Sequence, residues 1–364
     1  MAASQPRHVA LSELQRIKAG QLASANVIRA VARAIGARLL VAIPMLLGVI
    51  LVTFFLIRIG TRDASVMLAG PFADEAMIEE VKRSLGLDRP YYEQFFIYVG
   101  RLLSGDFGVS WISGRPVLDE IRPRLVATME LLLPAFAIGA ISGASIGIAS
   151  AFRFGTRFDH TSRFLSLVGF SVPTYWIGLM AIFVFYSVFG VAAAPIGRIG
   201  MSSFPPPPLT GSILIDGMLA GDWPLVLDAL HHLVLPVLIL AVIIAAPVLK
   251  HARIIALDVI NSDYVSYARS CGLPQRIIRQ MVVRNSLAPI LTLAGSELTG
   301  TLAAVSLLEL IFAWGGFGQW GLNAILTGDF AAVQGYVAVI ALFSIFVFLV
   351  IDLLVLWLEP RARS

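Results

Sequence analysis

A single cysteine, Cys271, leaves no intrachain disulfide to hold this 364-residue chain together, and it says nothing of the redox compartment. No Cys/His spacing of the metal-site kind occurs, so no metal is expected. The phosphate-cradling pattern GxxxxGK[ST] is missing as well, which excludes ATP binding and hydrolysis by this chain as a P-loop enzyme. Charge is scarce: 14% of residues are charged against 58% hydrophobic, with a mean hydropathy of +0.84. Soluble domains carry about a quarter charged residues, so a water-solvated globule is excluded and an all-α integral membrane protein is expected. The net charge of +4 is modest, and the basic residues sit at the ends of apolar runs. That distribution describes membrane topology and calls for lipid, not nucleic acid, as a partner.

What the chain does have is long apolar runs. A span needs roughly 20 mostly apolar residues, because hydrocarbon offers the backbone no hydrogen-bond partner. Six runs qualify: Leu39–Ile57, Thr128–Phe152, Phe164 to about Val191 with a kink at Pro173, Leu233–Leu249, Leu287–Trp314 and Tyr336–Leu358. An even number places both termini on one side. Arg153, Arg157, Arg163, Lys250, Arg253, Arg269, Arg276, Arg279 and Arg284 fall on the side of the termini, whereas the two short opposite loops carry only Arg198. The positive-inside rule therefore makes both termini cytoplasmic. The expected organisation is a cytoplasmic extension over 1–37, a first span over 38–58, an extracytoplasmic loop over 59–127, and a five-helix core over 128–358. That core would carry a cytoplasmic loop at 250–286, and 359–364 would form a cytoplasmic tail. Residues 11–37 have the spacing of an amphipathic surface helix; a partly ordered tail is the equal alternative.

The long outer loop reads as helical, with one helix over Asp74–Leu85, acids early and Lys82 and Arg83 late, and a second over Tyr91–Leu103. Pro205–Pro208 must be extended. Two catalytic-looking motifs are coincidental. Gly316–Gly321 matches the dinucleotide pattern GxGxxG but follows an apolar helix instead of a strand. Gly143–Gly147 matches the nucleophile elbow GxSxG around Ser145, yet lies inside a span where no elbow can form. With Gly139, the glycines at 143 and 147 recur every fourth residue, a pattern for close helix packing. His231 and His232 are adjacent and point apart on a helix, which suits interfacial anchoring better than a metal. Of the intramembrane acids, Glu130 and Asp352 lie toward span ends, while Glu297 and Glu309 share the fifth span, twelve apart and near one face. These two are candidates for a translocation path or for pairing with a partner helix.

Between the fourth and fifth runs sits a polar island, Asp263–Pro289. Asp258–Cys271 reads as a short helix offering Val259, Tyr264, Tyr267 and Ala268 as an apolar and aromatic face. Gly272 permits a sharp reversal, and Pro274 suits the first turn of a helix over Gln275–Arg284. The product is a projecting helix-turn-helix knob.

Ala268-Arg-Ser-Cys-Gly272, followed by Pro289, resembles the EAA-type loop of permease subunits from ATP-binding-cassette importers, in the form of the peptide/nickel branch. Leu85–Pro90, Gly105–Ser110, Thr128–Leu131, Ser171–Gly178, Glu309–Gly318 and Glu359–Arg361 resemble other segments of that branch in the same order, covering residues 38–363. Ser266-Tyr267 stands where the broader family has Glu-Ala, Asn285 where it has a first proline, and Gly315 where a proline is expected before Gly316. The resemblance implies a type I importer permease with six transmembrane helices in the bacterial inner membrane. It also implies a coupling loop of Asp263, Tyr264, Tyr267, Ala268, Arg269, Gly272, Pro274, Arg284, Asn285 and Pro289 seated in cytoplasmic ATPases. Two such ATPases would hold ATP and magnesium, a second permease would complete the pathway, and an extracytoplasmic binding protein would deliver cargo. Di- or oligopeptides lead as cargo, with glutathione-like compounds and chelated nickel as alternatives. A proton-driven secondary transporter using Glu297 or Glu309, and an intramembrane hydrolase at Ser145, are the competing classes.

Overall fold

The computed structural model describes residues 36, 40, 42–55, 74–84 and 89–358. The N-terminal extension to residue 35, loop residues 56–73 and 85–88, and the tail 359–364 lie outside them. The described chain is helical, and its only β feature is an isolated bridge between Val109 and Pro116.

Two helices form the axis of the molecule: α4, Val117–Phe152, and α8, Trp223–Ile260. At 1.5 Å per residue each exceeds about 50 Å, well beyond the roughly 30 Å of hydrocarbon. Both therefore continue past the apolar runs that mark their spans. The run at Thr128 gains a further three turns because Pro116 caps the helix without needing to donate. The start of α8 is set by Asp222, whose side chain accepts from the Leu225 N–H at 3.1 Å, with Pro224 in the first turn. Before α4 come α1, Ala42–Phe55, and the outer-loop helices α2, Glu75–Ser84, and α3, Tyr91–Leu103. Phe54 of α1 stacks on Tyr98 and meets Phe95 edge-on.

The third run is not one kinked span. It divides into α5, Arg157–Ser171, and α6, Thr174–Ala181, which continues as a π-helix over Ile182–Val188; the two parts meet at 101°. Pro173 has no N–H to donate and forces Val172 out of the helical region, so the ladder stops there. The fifth run breaks too, into α10, Gln275–Gly300, and α11, Leu302–Ile311, bent by 45°. Glu297 and Glu309 consequently lie on different helices, not on one face. Next come α12, Phe317–Thr327, and α13, Phe330–Leu358; short α7, Ile213–Ala220, and α9, Asp263–Ser270, flank α8. Among the described residues three helices are long and apolar enough to cross a membrane, or five if each bent pair is one span; α1 is a shorter apolar helix.

The main core joins Leu131 and Leu132 of α4 to Leu240, Ile244 and Val248 of α8 and Leu308 of α11. Apolar side chains elsewhere stay on the outside, among them Phe164, Phe170, Trp176 and Phe183 on α5 and α6. That inverted distribution is what a lipid solvent permits.

The knob, its clamp and the packed core

Helix α8 runs through Asp258 and Val259 to Ile260, so these two residues belong to the long helix and not to the short one. A turn at Asn261–Ser262 separates it from α9. Val265 and Ala268 of α9 are buried with Ala151, Ala256, Ile278 and Val282, which seats the short helix across the ends of α4, α8 and α10. Tyr264 and Tyr267 face outward, 43% and 73% exposed, as do Asp263 and Arg269. Asn285 anchors Tyr264 by donating from its amide to the phenol oxygen at 3.1 Å. Gly272 stands at φ +73°, and the Leu273 N–H returns to the Ala268 carbonyl at 3.2 Å, closing the helix end. A Cβ on Gly272 would meet nothing within 4 Å. Backbone angle, not space, is what calls for glycine there. Pro274 caps α10 from outside instead of occupying its first turn. Arg284 is exposed on α10, and Pro289 interrupts that helix's hydrogen-bond ladder four residues after Asn285.

Directly behind the knob is an ion pair that sequence reasoning missed. Asp159 of α5, 1% exposed, accepts from Arg253 of α8 through Nε at 2.5 Å and Nη2 at 2.9 Å. It also accepts from the Ser150 hydroxyl at 2.6 Å and the Gly155 N–H at 3.1 Å. One carboxylate thus ties the end of α4, the start of α5 and α8 together, one turn before Ala256. The only signal in the sequence is an acid set among Arg153, Arg157 and Arg163.

The glycines at 139, 143 and 147 lie against α8. A Cβ on them would sit 2.6 Å from the Ala241 oxygen, 2.7 Å from the Ala245 oxygen and 2.6 Å from the Leu249 oxygen, respectively. The GxGxxG glycines are contact points of the same kind: a Cβ would strike the Glu309 carboxylate at Gly316, Ser306 at Gly318 and the Tyr336 ring at Gly321. Ser145 is exposed on α4.

Glu309 is fully buried. It accepts from the Thr128 hydroxyl and from the Gln319 N–H in the first turn of α12, while Thr128 in turn accepts from the Phe317 N–H at 2.8 Å. A carboxylate at a helix N-terminus complements both the free N–H groups and the dipole. Glu297 is half-buried on α10. Glu130 has its partners inside the protein. It is paired with Arg198 at 3.2 Å and bonded to Ser212, joining two segments of the 192–222 loop to α4. Other carboxylates hold the same end: Asp228 takes the Gly200 N–H at 2.8 Å and the Ser203 hydroxyl at 2.6 Å, and Asp329 takes Ser110 at 2.5 Å. His232 bonds within α8 and His231 reaches the Val191 carbonyl. Among the described residues no group of three His, Cys, Asp or Glu side chains converges as a metal site.

Long apolar helices, a short helical knob at one end and carboxylate-pinned loops at the other mark this as a helical membrane protein. Residues 143–364 match the family described as binding-protein-dependent transport system inner membrane component, and residues 31–132 match its N-terminal part. The chain belongs to this family: it is a permease subunit of an ATP-binding-cassette importer and not an enzyme. It is 37% identical over 315 residues to the probable D,D-dipeptide transport system permease protein DdpB of Escherichia coli strain K12, covering 86% of this chain and 92% of that protein. Against the di/tripeptide transport system permease protein DppB of Pseudomonas aeruginosa, identity is 37% over 331 residues, 90% of this chain and 98% of that protein. The glutathione transport system permease protein GsiC of Escherichia coli is 29% identical over 327 residues, 90% of this chain and 97% of that protein.

Proposed function

We propose that this chain forms half of the translocation pathway for di- or oligopeptides in an ATP-driven importer, and that α9 is its coupling element. The projecting knob, with Tyr264, Tyr267 and Arg269 outward over a buried Val265 and Ala268, is the observation that carries the reading. The knob seats in a cytoplasmic ATPase; ATP and magnesium reside on a pair of these partners, and this chain holds neither. A second, homologous permease supplies the other half of the pathway. An extracytoplasmic binding protein delivers cargo onto the carboxylate-pinned loops. The α9 end, rich in Arg and Lys, faces the cytoplasm with both termini, in a bacterial inner membrane. Relatives named for peptides at 37% identity, against 29% for one named for glutathione, support peptide cargo over glutathione-like cargo or chelated nickel.

The mechanism is rigid-body alternating access. Closure of the ATPases draws the knob, and the buried cluster beneath it passes that displacement to α4, α8 and α10. ATP acts by stabilising one of two packings of the permease. Gly272→Val tests this directly. An L-residue with left-handed angles costs about 1–2 kcal/mol, and a β-branched one more, so the knob loses its fold while the spans still insert. In the assembled importer, uptake should fall to background with normal membrane levels of the variant. Full uptake by Gly272→Val would overturn the coupling role.

A further inference from the structure

We propose that the cavity between α5 and α8 on the side of the clamp is a site for the headgroup of an anionic phospholipid, its phosphate held by Arg163 and Lys250. The inference rests on the membrane location of these helices and not on the cargo or on the coupling role of α9. The cavity has a volume of about 210 Å³ and is lined by Arg163, Lys250 and Arg253 with Ser166 and the aliphatic Leu167, Leu249 and Ile254. Of its three cations, Arg253 is already neutralised by Asp159. Arg163 and Lys250 are exposed, and neither has a carboxylate partner among the described residues. The acid nearest to Arg163 in sequence, Asp159, is consumed by the clamp, and no acid lines the cavity, so it keeps the charge of two cations.

Depth and wall chemistry choose the ligand. Lys250 follows immediately on the apolar run Leu233–Leu249, which places its ammonium at the boundary between hydrocarbon and headgroups. Its Nζ lies 5.8 Å from the centroid of the Phe170 ring, a cation–π contact that directs it toward α5. The remaining wall is Leu167, Leu249 and Ile254 with Ser166, whose hydroxyl is already donated to the Ala246 carbonyl at 2.7 Å, and the adjoining face of α5 presents Phe164, Leu165 and Phe170 to the outside, 65%, 60% and 67% exposed. A free phosphate would find two cations but no hydrogen-bonding wall. A phospholipid satisfies both halves, its phosphate meeting the cations and its acyl chains lying along Leu167, Leu249 and the aromatic face. Basic pockets between membrane helices on the cytoplasmic side take anionic headgroups for this reason. Such a lipid would brace α5 against α8 beside Asp159, at the joint nearest the knob.

The test uses the assembled importer in phosphatidylcholine nanodiscs containing a minority of phosphatidylglycerol, with retained lipid counted by native mass spectrometry. Each cation near a lipid phosphate contributes about fivefold in affinity, so Arg163→Gln/Lys250→Gln should hold phosphatidylglycerol roughly 25-fold more weakly than wild type. Arg163→Lys/Lys250→Arg, which keeps both charges, should restore retention, and Arg279→Gln, in a separate cavity of about 410 Å³ lined by Arg279, Phe152 and Ile278, should leave it unchanged. Equal retention by the neutralised double variant would overturn the site. Displacement of the lipid by millimolar inorganic phosphate would make it a free-anion site, and protection of Arg163 by a partner subunit in lipid-free complex would make it a protein interface; either result sinks the lipid assignment.

Discussion

Glu309 shows how much one side chain decides in this chain. A carboxylate within a span invites a role in proton transport, but this one is occupied with Thr128 and the Gln319 N–H, and Gly316 leaves room for it alone. Glu309→Ala strands those buried donors and should cost about 1–3 kcal/mol, seen as a lower thermal midpoint of the detergent-solubilised complex. Glu309→Gln, which still offers an acceptor oxygen, should keep ATP-driven uptake. Loss of uptake in the Gln variant at unchanged stability would revive the relay. Outside the spans, Asp216 answers to pH. Burial pushes its pKa up, but four hydrogen bonds from Leu209, Thr210 and Gly211 outweigh that and hold it below the usual carboxylate range. Its contribution is therefore complete above the ordinary Asp pKa of about 4 and is lost as pH falls through the lower folded value. Amide exchange at Thr210 and Gly211, corrected for intrinsic pH dependence, should stay flat down to about pH 4 and accelerate below it. Acceleration near neutrality would contradict that assignment.

Between elements, the closest approach is that of α4 and α8. Three glycines spaced by four place backbone on backbone, and a carbonyl oxygen cannot rotate away as a side chain would. Gly143→Ala brings a methyl to 2.7 Å from the Ala245 oxygen, so the helices must separate at a cost of about 1–3 kcal/mol. A thermal midpoint unchanged from wild type would show the interface to be looser than its geometry. Ser145→Ala, on the exposed side of the same helix, should leave both stability and uptake untouched. The glycine pattern was readable because a period of four on a helix is a face. The breaks at Val172–Pro173 and Thr301 were not equally readable. A proline in an apolar run fits either a kink or a stop, and Gly300, the weakest helix former at the Thr301 break, is equally at home inside a packed span. The Thr301 hydroxyl turns back to the Glu297 carbonyl at 2.6 Å, a local bond that periodicity cannot reveal.

At the scale of the whole molecule, the two ends differ in kind. One end gathers arginines and lysines around a knob, with Arg253 paired to Asp159, and the other gathers carboxylates that pin loops. The proposed coupling at one end and loading at the other would use that polarity. Reconstituted alone in liposomes, the chain should neither hydrolyse ATP nor take up peptide under an imposed pH gradient. Uptake should appear only with both ATPases, the second permease and the binding protein present. Peptide accumulation by the single chain would favour the proton-driven reading instead.

The structure divides the third and fifth runs, so what the sequence by itself determined is the helical membrane class and the helix-turn-helix around Gly272. Each rests on local signals: apolar run length measured against a fixed bilayer thickness, and a glycine that must take a left-handed angle at position 272. The outer-loop helices Glu75–Ser84 and Tyr91–Leu103 were legible on the same terms, from charge order and turn residues. Only the tertiary structure decided the Asp159–Arg253 clamp, the Glu130–Arg198 pair and the capping of α12 by Glu309, whose partners lie 94, 68 and 10 residues apart. The physical reason is that a buried carboxylate must be satisfied by whatever the packing brings within about 3 Å. Where in the chain that partner comes from is set by which helices meet, and no local pattern encodes it.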